Sequence, residues 1–152
     1  MGGTINKMSL DYTPSANIFI YDNLKLLQNE GYIKKLTINY EAFCGHLLVT
    51  FNLTNQKIGG IDHNFNFNKY QVRLIRNNLI YTPKYFIESP KLKLETPHLN
   101  FDRSICLYHP NNYEWREFNP INNTQIPWLF CWVYYYEVWL IEGKWLGPEA
   151  RH

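Results

Sequence analysis

Two short runs decide the fold: Leu36-Thr37-Ile38-Asn39-Tyr40-Glu41-Ala42, and, just beyond Cys44-Gly45, Leu47-Leu48-Val49-Thr50-Phe51-Asn52-Leu53. In the first, Leu36, Ile38, Tyr40 and Ala42 alternate with Thr37, Asn39 and Glu41. In the second, Leu47, Val49, Phe51 and Leu53 alternate with Leu48, Thr50 and Asn52. A period of two puts one side of each run on a core, which is the pattern of a half-buried strand. The break near Cys44-Gly45 is short enough to return the chain antiparallel, so the two runs predict a hairpin. Upstream the period is helical: Ile20, Leu24 and Leu27 share a face over about 18–30, with Asn17 expected as the cap and Gly31 as the stop. Residues 1–16 are expected to be a flexible N-terminal segment. Downstream, Thr54 to Asn68 carries Gly59-Gly60 and many Asn, the composition of a long loop or a weak edge hairpin. A third strand is expected at Tyr70 to Arg76 and a short fourth at Tyr85 to Ile87, while Pro83, Pro90 and Pro97 forbid a helix across this stretch.

The last third of the chain changes character. Thr124 is expected to cap a helix with Pro127 in its first turn and Gly143 at its end. Trp128, Trp132, Tyr135 and Trp139 form one stripe on it, and Leu129, Val133, Tyr136 and Leu140 the next. A helix that is apolar on more than one face has to be buried on more than one face. From Ile126 to Ile141 the only charge is Glu137. A membrane span needs about 20 apolar residues, so this shorter run with a buried acid reads as a core helix that must give Glu137 a hydrogen-bonding partner or a pocket edge. Helix, antiparallel meander, irregular segment and buried helix together make an α+β fold.

The chain's 152 residues suit a single domain, 1–152. Apolar residues at 45% exclude a disordered chain. With 15 Lys+Arg against 13 Asp+Glu and no long basic run, nucleic acid is disfavoured as the main partner, because such binding needs several cations on one face. Cys44, Cys106 and Cys131 are an odd, widely spaced set without a preceding apolar leader, which predicts a reduced, cytoplasmic protein. Asn6 stands where an N-terminal acylation signal wants Ser or Thr, so neither a lipid anchor nor a membrane association is expected.

Between the meander and the buried helix lies Thr96-Pro97-His98-Leu99-Asn100-Phe101-Asp102-Arg103-Ser104-Ile105-Cys106-Leu107-Tyr108-His109-Pro110. It gathers a thiol, two imidazoles, an amide and a carboxylate. On the residues alone, a cysteine between Ile105 and Leu107 is more often a packed thiol than a nucleophile. His109 could serve a thiolate as a base, but a dedicated base favours hydrolysis. Cys44-Gly45-His46 has no second ligand pair, so no metal site and no cofactor is expected. Cys131 reads as core.

The order of elements together with His98-Leu99-Asn100 and Ile105-Cys106-Leu107 resembles the ubiquitin-conjugating enzymes, which place a His-Pro-Asn triplet shortly before an Ile-Cys-Leu active site. Here Leu99 stands for the proline and the interval to Cys106 is shorter, which is similar to the prokaryotic branch. Leu107-Tyr108-His109-Pro110, Glu114-Trp115, Ile126-Pro127-Trp128, Tyr136-Glu137, Gly143-Lys144-Trp145-Leu146-Gly147 and His152 resemble the compact conjugating-enzyme-like proteins encoded with bacterial antiphage (CBASS) cyclases.

The resemblance implies a UBC-like fold and a transferase without cofactor, in which Cys106 carries a protein's C-terminal carboxyl group as a thioester. Asn100 would offer its amide either to the oxyanion formed on amine attack or to the backbone of the loop. His98 would be a structural hydrogen-bonding residue rather than a base, and Asp102 would assist an incoming lysine or solvate the turn. Tyr108 and Trp115 would support the loop, with Trp145 and His152 near it. The implied partner is a protein with a free C-terminus, the CBASS cyclase of the nucleotidyltransferase class. The chain has no nucleotide-cradling glycine motif, so it either receives an activated carboxyl from a separate activating enzyme or engages its partner without ATP chemistry of its own. Two other outcomes are open on the sequence: a conjugating enzyme of a bacterial ubiquitin-like operon, and a catalytically silent scaffold of the same fold.

Overall fold

The computed structural model describes residues 17–41, 45–76, 82–107 and 120–148. Helix α1 covers 17–29; strands β1 (Ile33–Glu41), β2 (His46–Leu53), β3 (Gln71–Arg76) and β4 (Lys84–Ser89) follow, and helix α2 (Gln125–Glu142) closes the series. The four strands form one sheet in chain order with every neighbouring pair antiparallel, so the architecture is α+β with a meander, as expected.

β2 shows the alternation in full: Leu47, Val49, Phe51 and Leu53 are buried, and the residues between them are only partly covered. Register carries the same face across the sheet, since Val49 stands opposite Leu74, Phe51 opposite Val72, and Leu74 opposite Tyr85. β1 departs from its expected pattern. Ile33 is buried, yet Tyr40 is 40% exposed, because β1 is the edge strand and its register slips between Lys34 and Thr37, where Lys35 takes φ 56°. A bulge of this kind bends an edge away from regular pairing. The stretch expected as a loop or weak hairpin holds a single two-residue turn. Ile58 and Ile61 exchange both backbone hydrogen bonds, at 3.0 and 3.1 Å, around Gly59 and Gly60 with φ 58° and 78°. Positive φ at both turn residues is what glycine supplies.

Asn17 and Thr124 both turn their side chains to other partners, although Thr124 does occupy the N-cap position of α2. Asn17 turns its side chain inward: its Oδ1 accepts from Arg76 Nη1 at 2.7 Å and its Nδ2 donates to the Gly45 carbonyl at 3.0 Å. Arg76 is 1% exposed, and a buried guanidinium must be hydrogen-bonded, so the residue expected to cap α1 instead ties it to β3 and to the β1–β2 turn. Thr124 donates its hydroxyl to the Pro120 carbonyl at 2.6 Å and caps nothing with its side chain. The two stops are as expected. Tyr32 N–H reaches the Leu27 carbonyl and Gly31 N–H the Gln28 carbonyl around Gly31 at φ 82°, and Gly143 at φ 76° ends α2 on the Trp139 carbonyl.

No residue of α2 from 128 to 140 is exposed, so the helix is covered on every face along its middle. Glu137 is 8% exposed; it accepts from the Tyr70 hydroxyl at 2.5 Å and pairs with Lys69 at 2.9 Å, which gives the acid the partner its burial demands. Burial, reinforced by the bond to Glu137, pushes the Tyr70 hydroxyl far above its ordinary pKa, so Tyr70 is the donor. Among the described residues no helix is long and apolar enough to cross a membrane.

Candidate functional site

Beyond β4 the chain makes a tight hairpin whose arms meet at Leu99 and Ile105. Asn100 N–H donates to the Ser104 carbonyl and Arg103 N–H to the Asn100 carbonyl, both at 2.8 Å, and Cys106 N–H donates to the His98 carbonyl at 3.1 Å. Ile105 N–H reaches the Tyr85 carbonyl at 2.8 Å, so β4 holds the second arm. Tyr85 in turn donates its hydroxyl to Gln125 Oε1 at 2.7 Å, which fixes β4 to the first residue of α2. Two non-glycine residues of the hairpin, His98 at φ 57° and Arg103 at φ 69°, are left-handed. Such conformations cost about 1–3 kcal/mol each and persist only where the surroundings impose them.

The polar side chains expected at the site are brought together, bonded to one another within the hairpin and, through Asp102, to β4. Asn100 Nδ2 donates to Ser104 Oγ at 3.0 Å and approaches the Ile105 carbonyl at 3.5 Å. Both contacts run to atoms of the loop itself. Asp102 Oδ1 accepts from the Ser104 N–H at 3.0 Å and its hydroxyl at 2.6 Å, while Oδ2 pairs with Lys84 at 2.5 Å. Partial burial opposes the ionised form of Asp102, but the bonds from Lys84 and Ser104 outweigh it and hold the carboxyl down at about 2. Asp102 is thus bonded to both the turn and β4. Ser104, 1% exposed, links Asn100 and Asp102 and is a site residue that the sequence reading missed. Its signal was the spacing of Asn100, Asp102 and Ser104 at every second position of a short turn, where Asx-type side chains close on the backbone.

Cys106 follows directly and is half-buried, and burial pushes its thiol up. Below its pKa a thiol's reactive fraction rises about tenfold per pH unit. The rate of Cys106 alkylation by iodoacetamide is therefore expected to climb with near-unit logarithmic slope from about pH 7 to about pH 8.5. Rates measured by peptide mass spectrometry check this; a plateau beginning below neutrality would mean a cation that stabilises the thiolate.

His98 acts through its backbone as well as its ring. Its carbonyl accepts from Cys106 N–H and from Trp132 Nε1 at 3.2 Å, and its ring lies 4.8 Å from that of Trp145. Trp132 stacks on Tyr136 with centroids 5.4 Å apart and lies 5.7 Å from Trp145. The segment after α2 thus returns to the hairpin, and Trp145 takes the place near the loop that the sequence suggested for it. Tyr108, His109, Trp115, His152 and Cys44 lie outside the described residues. Cys131, expected in the core, is half-buried on the wall of a cleft of about 340 Å³ that it shares with Leu27, Ile58, Ile126 and Phe130.

The family model of the Type II CBASS E2 protein matches residues 33–152, from β1 through the hairpin and α2 to the last residue. A search of curated proteins finds no match.

Proposed function

The chain belongs to the Type II CBASS E2 family, and from that premise we propose that it is a single-domain, UBC-like, cytoplasmic transferase whose Cys106 carries a protein C-terminus as a thioester. The cargo is the C-terminus of the CBASS cyclase, and its conjugation regulates antiphage signalling. The Cys106 thiolate attacks the carboxyl carbon, activated by a separate enzyme as an acyl adenylate or thioester, and the adenylate or thiol leaves. An acceptor amine then attacks the Cys106 thioester; the C–S bond breaks, the thiolate departs, and the amine's proton passes to solvent as the amide forms.

The observation that carries this reading is the brace on the cysteine: Cys106 N–H on the His98 carbonyl at 3.1 Å, closing a hairpin that Asn100 and Asp102 stiffen from within. A carrier needs a fixed thiol more than an activated one. The raised pKa suits it further, because a more basic thiolate is a slower leaving group and its thioester lasts longer. Asn100 and His98 accordingly act on the loop's geometry, with Tyr108 and Trp115 as the further supports that the resemblance names.

Intact-mass analysis of the protein, incubated with the neighbouring cyclase, its activating enzyme and ATP, tests the reading. An adduct of cyclase mass that maps to Cys106 and is released by dithiothreitol is expected. A thiol that stays unmodified while conjugate accumulates would overturn it.

A further inference from the structure

Phe101 is fully solvent-exposed at the tip of the hairpin, and Leu94, 82% exposed, sits on the loop that leads into it. Isolated exposed apolar residues are ordinary, but these two stand on loops that are bonded to each other. The Arg103 guanidinium donates to the Lys93 carbonyl at 3.2 Å and the Leu94 carbonyl at 3.4 Å, which ties the two loops side by side. The tip that displays Phe101 is held by backbone and side-chain bonds on both flanks, so its ordering cost is met before any partner arrives. None of those bonds uses the Phe101 side chain. The same loops carry exposed Lys91, Lys93 and Arg103 against Glu95, with Asp102 already paired to Lys84. The two tied loops therefore present two exposed apolar side chains among an excess of basic ones.

We propose that Phe101 and Leu94 dock the extended C-terminal segment of the cargo protein, an apolar stretch with acidic flanks, and so guide its carboxyl group to Cys106. The inference rests on the thioester reading of Cys106. An extended chain advances about 3.3 Å per residue, so the arm from Arg103 to Cys106 matches about three residues of cargo. The cargo side chain against Phe101 lies a few positions before its C-terminal carboxylate. Charge complementarity steers the acidic flanks onto the lysines, and the aromatic anchor provides the contact that is buried on binding.

The test compares wild type with Phe101→Ala/Leu94→Ala and with Lys91→Glu/Lys93→Glu, using the purified neighbouring cyclase as substrate. Each double variant is expected to raise the KM for cyclase about tenfold while iodoacetamide alkylation of Cys106 keeps its wild-type rate. Wild-type KM in both variants overturns the proposal. Failure of the thioester reading is distinguished by binding alone: Cys106→Ala protein is titrated with a labelled synthetic peptide of the cyclase's C-terminal segment. A Kd weakened about tenfold by Phe101→Ala/Leu94→Ala supports docking whether or not chemistry follows; no binding, or an unchanged Kd, overturns it.

Discussion

Cys106→Ala is expected to abolish cyclase conjugation, and Cys106→Ser to trap the cargo as an ester that dithiothreitol no longer releases. The two variants separate carrier from scaffold. Alanine removes the sulfur that is proposed to accept the carboxyl group, and a loss on the order of a thousandfold or more is the scale for deleting a covalent nucleophile. Serine keeps an acceptor of similar size at a position whose backbone is fixed by the His98 carbonyl and the Tyr85-bound neighbour Ile105. Its alkoxide is a poorer leaving group than a thiolate, so once acylated it should transfer slowly and accumulate. Cys131→Ala is the control: its thiol is also half-buried with a pKa raised by burial, but it lies on another wall of α2 and should leave conjugation intact. Gel-based conjugation assays and intact mass read all three. Conjugation by Cys106→Ala at the wild-type level would remove the thioester mechanism and leave the scaffold.

What could be read from the sequence followed from how local the deciding interaction was. The sheet was legible at β2, where one face is buried and the alternation is uninterrupted, and less so at β1, where an edge bulge at Lys35 breaks the period. Asn17 and Thr124 are residue types that cap helices, but Asn17 serves Arg76, 59 positions away, and no local pattern announces that. Glu137 shows the same limit from the other side: its burial in an apolar helix was readable, whereas its partners Tyr70 and Lys69 emerge only once the sheet packs on α2. At the site, the thiol, amide and carboxylate could be named from their cluster. Their assignments could not, because whether Asn100 faces an oxyanion or Ser104 depends on the two left-handed residues that bend the loop. Ser104 was overlooked because serine in a turn is common, although its near-complete burial makes it the hinge of the network.

Gly147→Ala should detach the strap formed by residues 143–148 after α2 and loosen the cysteine hairpin together, an effect out of proportion to one methyl group. A Cβ at Gly147 would stand 2.5 Å from both Cγ and Cδ2 of Tyr135, well inside van der Waals contact with a ring on a covered helix. Tyr135 has little room to yield, since its ring lies 5.1 Å from Tyr134 and 6.2 Å from Trp145. Overpacking of this kind costs about 1–3 kcal/mol, or roughly 2–10 °C in Tm for a chain of this size. The strap is the element free to move, and with it goes Trp145, whose ring packs on His98 and Trp132. His98 holds Cys106 through its carbonyl, so faster alkylation of Cys106 should accompany the lower Tm. Tyr135→Ala in the same chain opens the space the new methyl group needs, and the double variant should recover alkylation toward wild type despite its own packing loss. Recovery of this sign would be a coupling energy between Gly147 and Tyr135, whereas additive effects of the two substitutions would mean that the strap does not act on the hairpin through that contact.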